Sequence, residues 1–318
     1  MQHFLLSSQA RTISLKAVFT MGEDKAYETF CQMRWPENDG EAVCPRCGCV
    51  ETYNITSRRK FKCVACHHQF SVTSGTIFAS RKMSFTDLLA AIVIFVNGAK
   101  GIAALQLSRD LDCQYKTAFV LTHKLREAMA RENMGATVGG VVEVDGAYFG
   151  GYVKPANEKA DRKDRRLLEN QTGKRQVVVV ARERGGRTLS FIARSEAQGV
   201  PFIRSVVETG AVVHADEGSA WDALHGAYDI GRVNHSFRFM DKGVCTNQAE
   251  SYFSRLRRME IGTHHHIAGP YLNAYAGEAS WREDNRRVAN GAQAGKVGVA
   301  AMEAPVSRQW KGYWQREA

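Results

Sequence analysis

Apolar positions along the 318-residue chain change their period near residue 140. Upstream they recur at helical spacing. Phe85, Leu88, Leu89, Ile92 and Phe95 follow Ser84 and Asp87, which resemble a capping box with Asp in place of Glu, and Asn97-Gly98 closes that helix. Helices over 102–111 and 114–129 follow, across a turn at Asp112-Cys113, in a helix-turn-helix-like arrangement. A shorter helix over 24–33 precedes the break at Pro36. Downstream the texture becomes strand-like. Residues 141–151, VVEVDGAYFGG, read as a buried strand. Residues 176–182 and 187–194 read as a hairpin turning at Gly185-Gly186, and 195–208 as a helix. AVVHAD over 211–216 is a second apolar strand, 230–236 a short fifth one, and 246–258 a helix.

Strand, hairpin, helix, strand, short strand, helix is the order of an RNase H-like α/β unit. In that fold the first and fourth strands are neighbours, which would bring Asp145 beside Asp216. An acid inside an apolar strand is costly to bury unless something pairs with it. Alone, Asp145 reads as a strand-end turn residue or as a metal ligand. In the helix over 246–258, Asn247 and Glu250 have capping-box spacing, and the same spacing sets Glu250 in the first turn. Glu250, Phe253, Ser254 and Arg257 share one helical face. Asp145, Asp216 and Glu250 are the hard oxygen ligands that two-cation phosphodiester chemistry requires; Mg²⁺ suits them and Mn²⁺ would be tolerated.

Four of the eight cysteines form Cys44-x2-Cys47 and Cys63-x2-Cys66. Each pair can turn both thiolates toward one ion, and two pairs complete a tetrahedral Zn²⁺ site with no open position, hence a structural one. The stretch between them is strand-like with a basic tip, and His67 and His68 are competing ligands that four cysteines make unnecessary.

Bulk properties narrow the partners. A hydrophobic content of 44% and a charged content of 24% are ordinary for a folded globular chain. A net charge of +10 suits a polyanion, nucleic acid first. Candidate DNA contacts are Lys116, Lys124 and Arg126 in the third helix, which is otherwise a plain spacer. Others are Arg162, Lys163, Arg165 and Arg166 in the charged segment 152–176, which is otherwise a solvated loop. The longest apolar run, 88–96, is too short for a membrane span, and residues 4–6 lack a signal-peptide pattern, so a cytoplasmic, nucleoid-associated location is expected.

VEVDGAYFGG, HADEGSAW, TNQAESYFSRLRRMEIGTHHHI and EASWREDNRR together resemble the DDE transposases of ISXO-type bacterial insertion sequences, which carry an N-terminal zinc ribbon of the CPRCG type. The resemblance covers about residues 24–287. It implies that Asp145 and Asp216 are the first two catalytic carboxylates, that Glu250 or else Asn247 is the third catalytic position, and that Arg257 fills the family's basic position seven residues on. It also places His264, His265 and His266 near the DNA, with His265 a candidate contact, and matches Glu278 and Asn285 without a role. The expected organisation is a helical lead-in over 1–36, a zinc ribbon over 37–80, a helical DNA-binding region over 81–135, an RNase H-like domain over 141–290 and a poorly ordered tail over 291–318. The expected activity is cleavage at transposon-end inverted repeats and joining of the ends to target DNA, by a homo-oligomer. The rival reading is a non-catalytic zinc-ribbon DNA-binding protein or a decayed transposase; a nuclease that cuts without joining is a further one.

Overall fold

Ser14 begins the first helix, α1 (Leu15–Arg34), by accepting a hydrogen bond from the Ala17 amide. Gly22, at φ 77° and ψ 174°, kinks it in a conformation that side chains disfavour. The helix expected over 24–33 is the part beyond this kink. The computed structural model describes residues 4–151, 154–163, 170, 173–234, 240, 243–267 and 269–313. They divide into one unit of residues 1–132 with 287–318, and a second of residues 133–286.

In the first unit, β1 (Thr52–Ile55), β2 (Lys60–Cys63) and β3 (Gln69–Phe70) form an antiparallel ribbon. Trp35 packs edge-on to Phe61 and Phe70, giving this small sheet an aromatic floor. The helices α2 (Phe85–Asn97), α3 (Ala104–Asp110) and α4 (Tyr115–Arg131) follow. At the start of α2 the expected Ser84 cap forms, with Ser84 Oγ accepting from the Asp87 amide at 2.9 Å. Glu23 of α1 takes the Phe85 and Thr86 amides at 3.0 and 2.9 Å. The α2 residues off the expected apolar stripe, Ala90, Ala91, Val93 and Val96, are buried as well. An all-round apolar helix is a central one, and α2 runs between α1 and a helix from the far end of the chain.

That C-terminal helix corrects the expectation of a poorly ordered tail. Residues Asn290–Glu303 are helical and pack on α1, α2 and α4. The Gly and Ala content serves close approach. A Cβ built on Gly298 would lie 2.5 Å from the Met33 sulfur, so a larger residue there would displace the Met33 side chain. Asn290 Oδ1 accepts from the Thr12 and Ile13 amides, and Trp310, 3% exposed, stacks on His123 with centroids 4.5 Å apart. Lead-in, ribbon, helical region and tail therefore belong to one unit.

The second unit is built on a five-stranded sheet ordered β6-β5-β4-β7-β8. Its strands are β4 (Val141–Phe149), β5 (Gln176–Glu183), β6 (Thr188–Ala193), β7 (Val212–Asp216) and β8 (Asp229–Val233). The first three are antiparallel, and β7 and β8 run parallel to β4. This mixed order is the RNase H-like arrangement that the element sequence implied. Alternation decides which face each residue serves. Val142, Val144, Val213 and Ala215 enter one core, with α5 (Val200–Val206) packed against it. Ala147 and Phe149 enter the other, with α6 (Asn247–Met259) and α7 (Leu272–Asp284). Among the described residues, no helix is long and apolar enough to cross a membrane.

Candidate active site and zinc centre

Parallel pairing of β4 and β7 is registered as far as Val144 opposite Ala215. Asp145 and Asp216 come next on each strand. By alternation both lie on the face covered by α6, the helix that bears Glu250. Asp145 Oδ1 accepts from its neighbour's amide, Gly146, at 2.7 Å, and Asp216 Oδ1 from Gly218 at 3.0 Å. Burial pushes the Asp145 carboxyl up to about 7, the negative charges of Asp216, Glu196 and Glu250 push the same way, and the Gly146 N–H opposes them. Glu196, at the start of a 3-10 turn after β6, is raised by burial and by Asp216.

The charges of Asp216, Glu196 and Glu250 thus act on Asp145, beside the end of the β4–β7 pairing. Such a set fits divalent cations, whose charge reverses the local preference for protonation. Among the described residues, only the four ribbon cysteines include three or more ligand atoms that all lie within 4.8 Å of one another.

The ribbon cysteines meet the demands of zinc. Cys44 and Cys66 Sγ are 3.6 Å apart, Cys47 and Cys63 3.5 Å, and Cys47 and Cys66 3.4 Å. Zn–S bonds of about 2.3 Å in a tetrahedron place sulfurs slightly under 4 Å apart, whereas a disulfide needs about 2 Å. The Cys66 amide donates to Cys63 Sγ at 3.4 Å, and with that bond foremost the Cys63 thiol falls to about 6, toward the thiolate that zinc binds. His68 instead stacks on Phe70.

Comparison with known families decides the assignment. Residues 137–284 match the ISXO2-like transposase domain, and residues 21–69 the transposase zinc-ribbon domain. The chain belongs with the ISXO2-like transposases. No curated protein matches it significantly. The solved structure titled "Crystal structure of the Mos1 Strand Transfer Complex" aligns over 67% of this chain and 78% of its own, at 9% identity and a TM-score of 0.26, a likeness too slight to bear on function.

The start of α6 in this transposase differs from the expected capping box. Its N-cap is Thr246, which makes no side-chain cap bond, and Asn247 is the first helical residue. The Gln248 and Ala249 amides donate instead to one carboxylate oxygen of Glu143, at 2.7 and 3.1 Å. Asn247 and Glu250 are both exposed. Two turns along, the exposed Arg257 holds its guanidinium 5.2 Å above the Phe149 ring, on the strand that carries Asp145.

The DNA-contact candidates of the transposase fare unequally. Lys116 is exposed in the first turn of α4, where a helix-turn-helix reads bases. Lys124 is half-buried, and burial lowers its pKa. Arg126 is corrected outright. It is 2% exposed, with its guanidinium 5.5 Å over the Phe95 ring, because α4 is a core helix over most of its length. Arg162 and Lys163 are exposed, and Arg162 bonds the carbonyls of Ala156 and Asn157. Arg165 and Arg166 lie outside the described residues. His265 is exposed at φ 58°, while His264 packs on Tyr275. Glu278 is fully buried and paired with Arg282 at 2.8 Å, and the Asn285 side chain bonds the Trp281 carbonyl, so both residues brace α7.

Two acids escaped the sequence reading. Glu196 follows a strand with no motif around it. A Cβ on Gly146 would lie 2.6 Å from its Cγ, so the Glu196 side chain packs closely over that glycine. Glu143 was legible, since it stands two positions before Asp145 and so on the same face of the strand.

Proposed function

We propose that this transposase cuts at transposon-end inverted repeats and joins the ends to target DNA through Asp145, Asp216 and Glu250. The observation that carries the reading is that Asp145 and Asp216 follow the last registered pair of β4 and β7 on the face covered by the helix bearing Glu250; burial first, and the neighbouring negative charges second, leave Asp145 reluctant to ionise without a compensating cation. Mg²⁺, or Mn²⁺, would supply Lewis acidity there for the attacking and leaving oxygens of the phosphodiester. Glu250 is preferred over Asn247 as the third ligand because a carboxylate binds a hard cation more strongly than an amide. Arg257, exposed and lying over Phe149, would bond a DNA phosphate. In the first step, hydrolysis breaks a P–O bond and leaves a 3′-hydroxyl. In the second, that hydroxyl attacks a target phosphate and displaces a strand oxygen, so no protein-linked intermediate forms.

The zinc ribbon, held by Zn²⁺ on Cys44, Cys47, Cys63 and Cys66, and the α3–α4 pair would bind the inverted repeats, with Lys116, Arg162 and Lys163 on phosphates. Work on paired ends calls for a homo-oligomer on DNA, in the cytoplasm with the nucleoid. The test is cleavage of end-bearing DNA in Mg²⁺. Asp145→Asn should abolish cleavage and leave end binding intact; cleavage at the wild-type rate would overturn the reading.

A further inference from the structure

Glu143 is fully buried, and both of its carboxylate oxygens are engaged. Oε2 holds the Gln248 and Ala249 amides at the N-terminus of α6, where the helix dipole favours an anion. Oε1 accepts from Arg184 Nε at 3.1 Å. Arg184 lies just past β5, and its Nη2 reaches His214 Nδ1 at 3.1 Å and the Cys245 carbonyl at 3.4 Å. The Cys245 amide also donates to His214 Nδ1, at 3.3 Å.

The placement of these groups is systematic. Glu143 stands two residues before Asp145 on β4, and His214 two residues before Asp216 on β7. Cys245, Gln248 and Ala249 flank the start of α6, with Glu250 next. Each element that contributes a proposed ligand is tied, one step behind that ligand, to the Glu143–Arg184 pair.

The geometry points to Glu143, braced by Arg184, as the positioning residue that sets the third carboxylate against the first two and thereby sets the site's affinity for divalent cations. This rests on the proposed role of Asp145, Asp216 and Glu250. Groups that orient metal ligands act on affinity in this way, and their loss typically costs about 10–100-fold. Gln at position 143 keeps the shape but lacks the charge, and its amide nitrogen must face a donor on one side or the other.

The experiment measures Mn²⁺ binding to the full-length protein by the paramagnetic resonance signal of the free ion, alongside the Mn²⁺ dependence of end cleavage. Glu143→Gln and Arg184→Gln should each raise the half-saturating Mn²⁺ concentration, by about tenfold or more, with end-DNA affinity and zinc content unchanged. A purely structural role would lower thermal stability and leave half-saturation at the wild-type value in whichever variant folds, and that result overturns the inference. Asp145→Asn is run in parallel. If it still cleaves, the underlying site assignment fails. If it is inactive while the other two variants bind Mn²⁺ as wild type does, only the positioning role fails.

Discussion

Asp145 and Asp216 stand one residue beyond Val144 and Ala215, the last registered pair of two parallel strands, on the face that α6 covers. Burial, helped by the nearby charge of Asp216, raises the Asp145 carboxyl to about 7. A carboxyl raised on folding favours the protonated native state, so its contribution is complete below the unfolded value near 4 and is lost as pH climbs through 7. Metal-free Asp145→Asn should therefore be more stable than wild type near pH 8, by on the order of 1–3 kcal/mol, and should show no such gain near pH 4. Urea unfolding at the two pH values checks this. An equal gain at both would contradict the electrostatic origin.

Glu250 and Asn247 separate by rate. Glu250→Gln removes a hard ligand and should slow single-turnover end cleavage about a thousandfold, consistent with several kcal/mol of cation-based stabilisation. Asn247→Ala should leave most of the rate. The reverse ranking in a single-turnover assay would move the third ligand to Asn247.

Arg257→Ala should weaken binding of end DNA and reduce the magnitude of its salt dependence by about one unit of log–log slope, the signature of one lost phosphate contact. Filter binding across a salt series reads this. A salt slope equal to that of wild type would remove Arg257 from the DNA.

Chelation should unfold the ribbon selectively. Its strands span two to four residues each, too little sheet to hold together without the ion. Cys63→Ser or removal of zinc should abolish chemical-shift dispersion over residues 37–80. Ribbon resonances that survive in zinc-free protein would show that the aromatic floor suffices.

Trp310→Ala should cost the first unit about 3–5 kcal/mol, since the ring is buried against Phe119 and His123. Denaturant titration followed by the unfolding of that unit measures this. A cost near zero would return the tail to the status of an appendage.

Much of the five-stranded sheet was legible because alternation and turn residues are local signals. The β5–β6 hairpin turns where Gly185-Gly186 indicated, β4 carries Asp145 at its middle, and β7 ends in Asp216. The zinc centre was legible for the same reason, as its ligands come in close pairs. What stayed hidden depends on distant partners. The Gly- and Ala-rich tail looked unstructured because nothing local reveals that Gly298 meets Met33. Arg126 looked like a DNA contact because a basic residue on a helix reads as exposed until α4 proves to be a core helix. The capping box at Asn247 and Glu250 was plausible locally and was displaced by Glu143, about a hundred residues earlier on a neighbouring strand.

The central claim is that Asp145, Asp216 and Glu250 form one centre for strand transfer, and joining of pre-cut ends to target DNA in Mg²⁺ tests it most directly. Wild-type protein should join the ends. Asp145→Asn, Asp216→Asn and Glu250→Gln should each bind the ends as wild type does and fail to join them. Joining at the wild-type rate by any of the three would contradict the account.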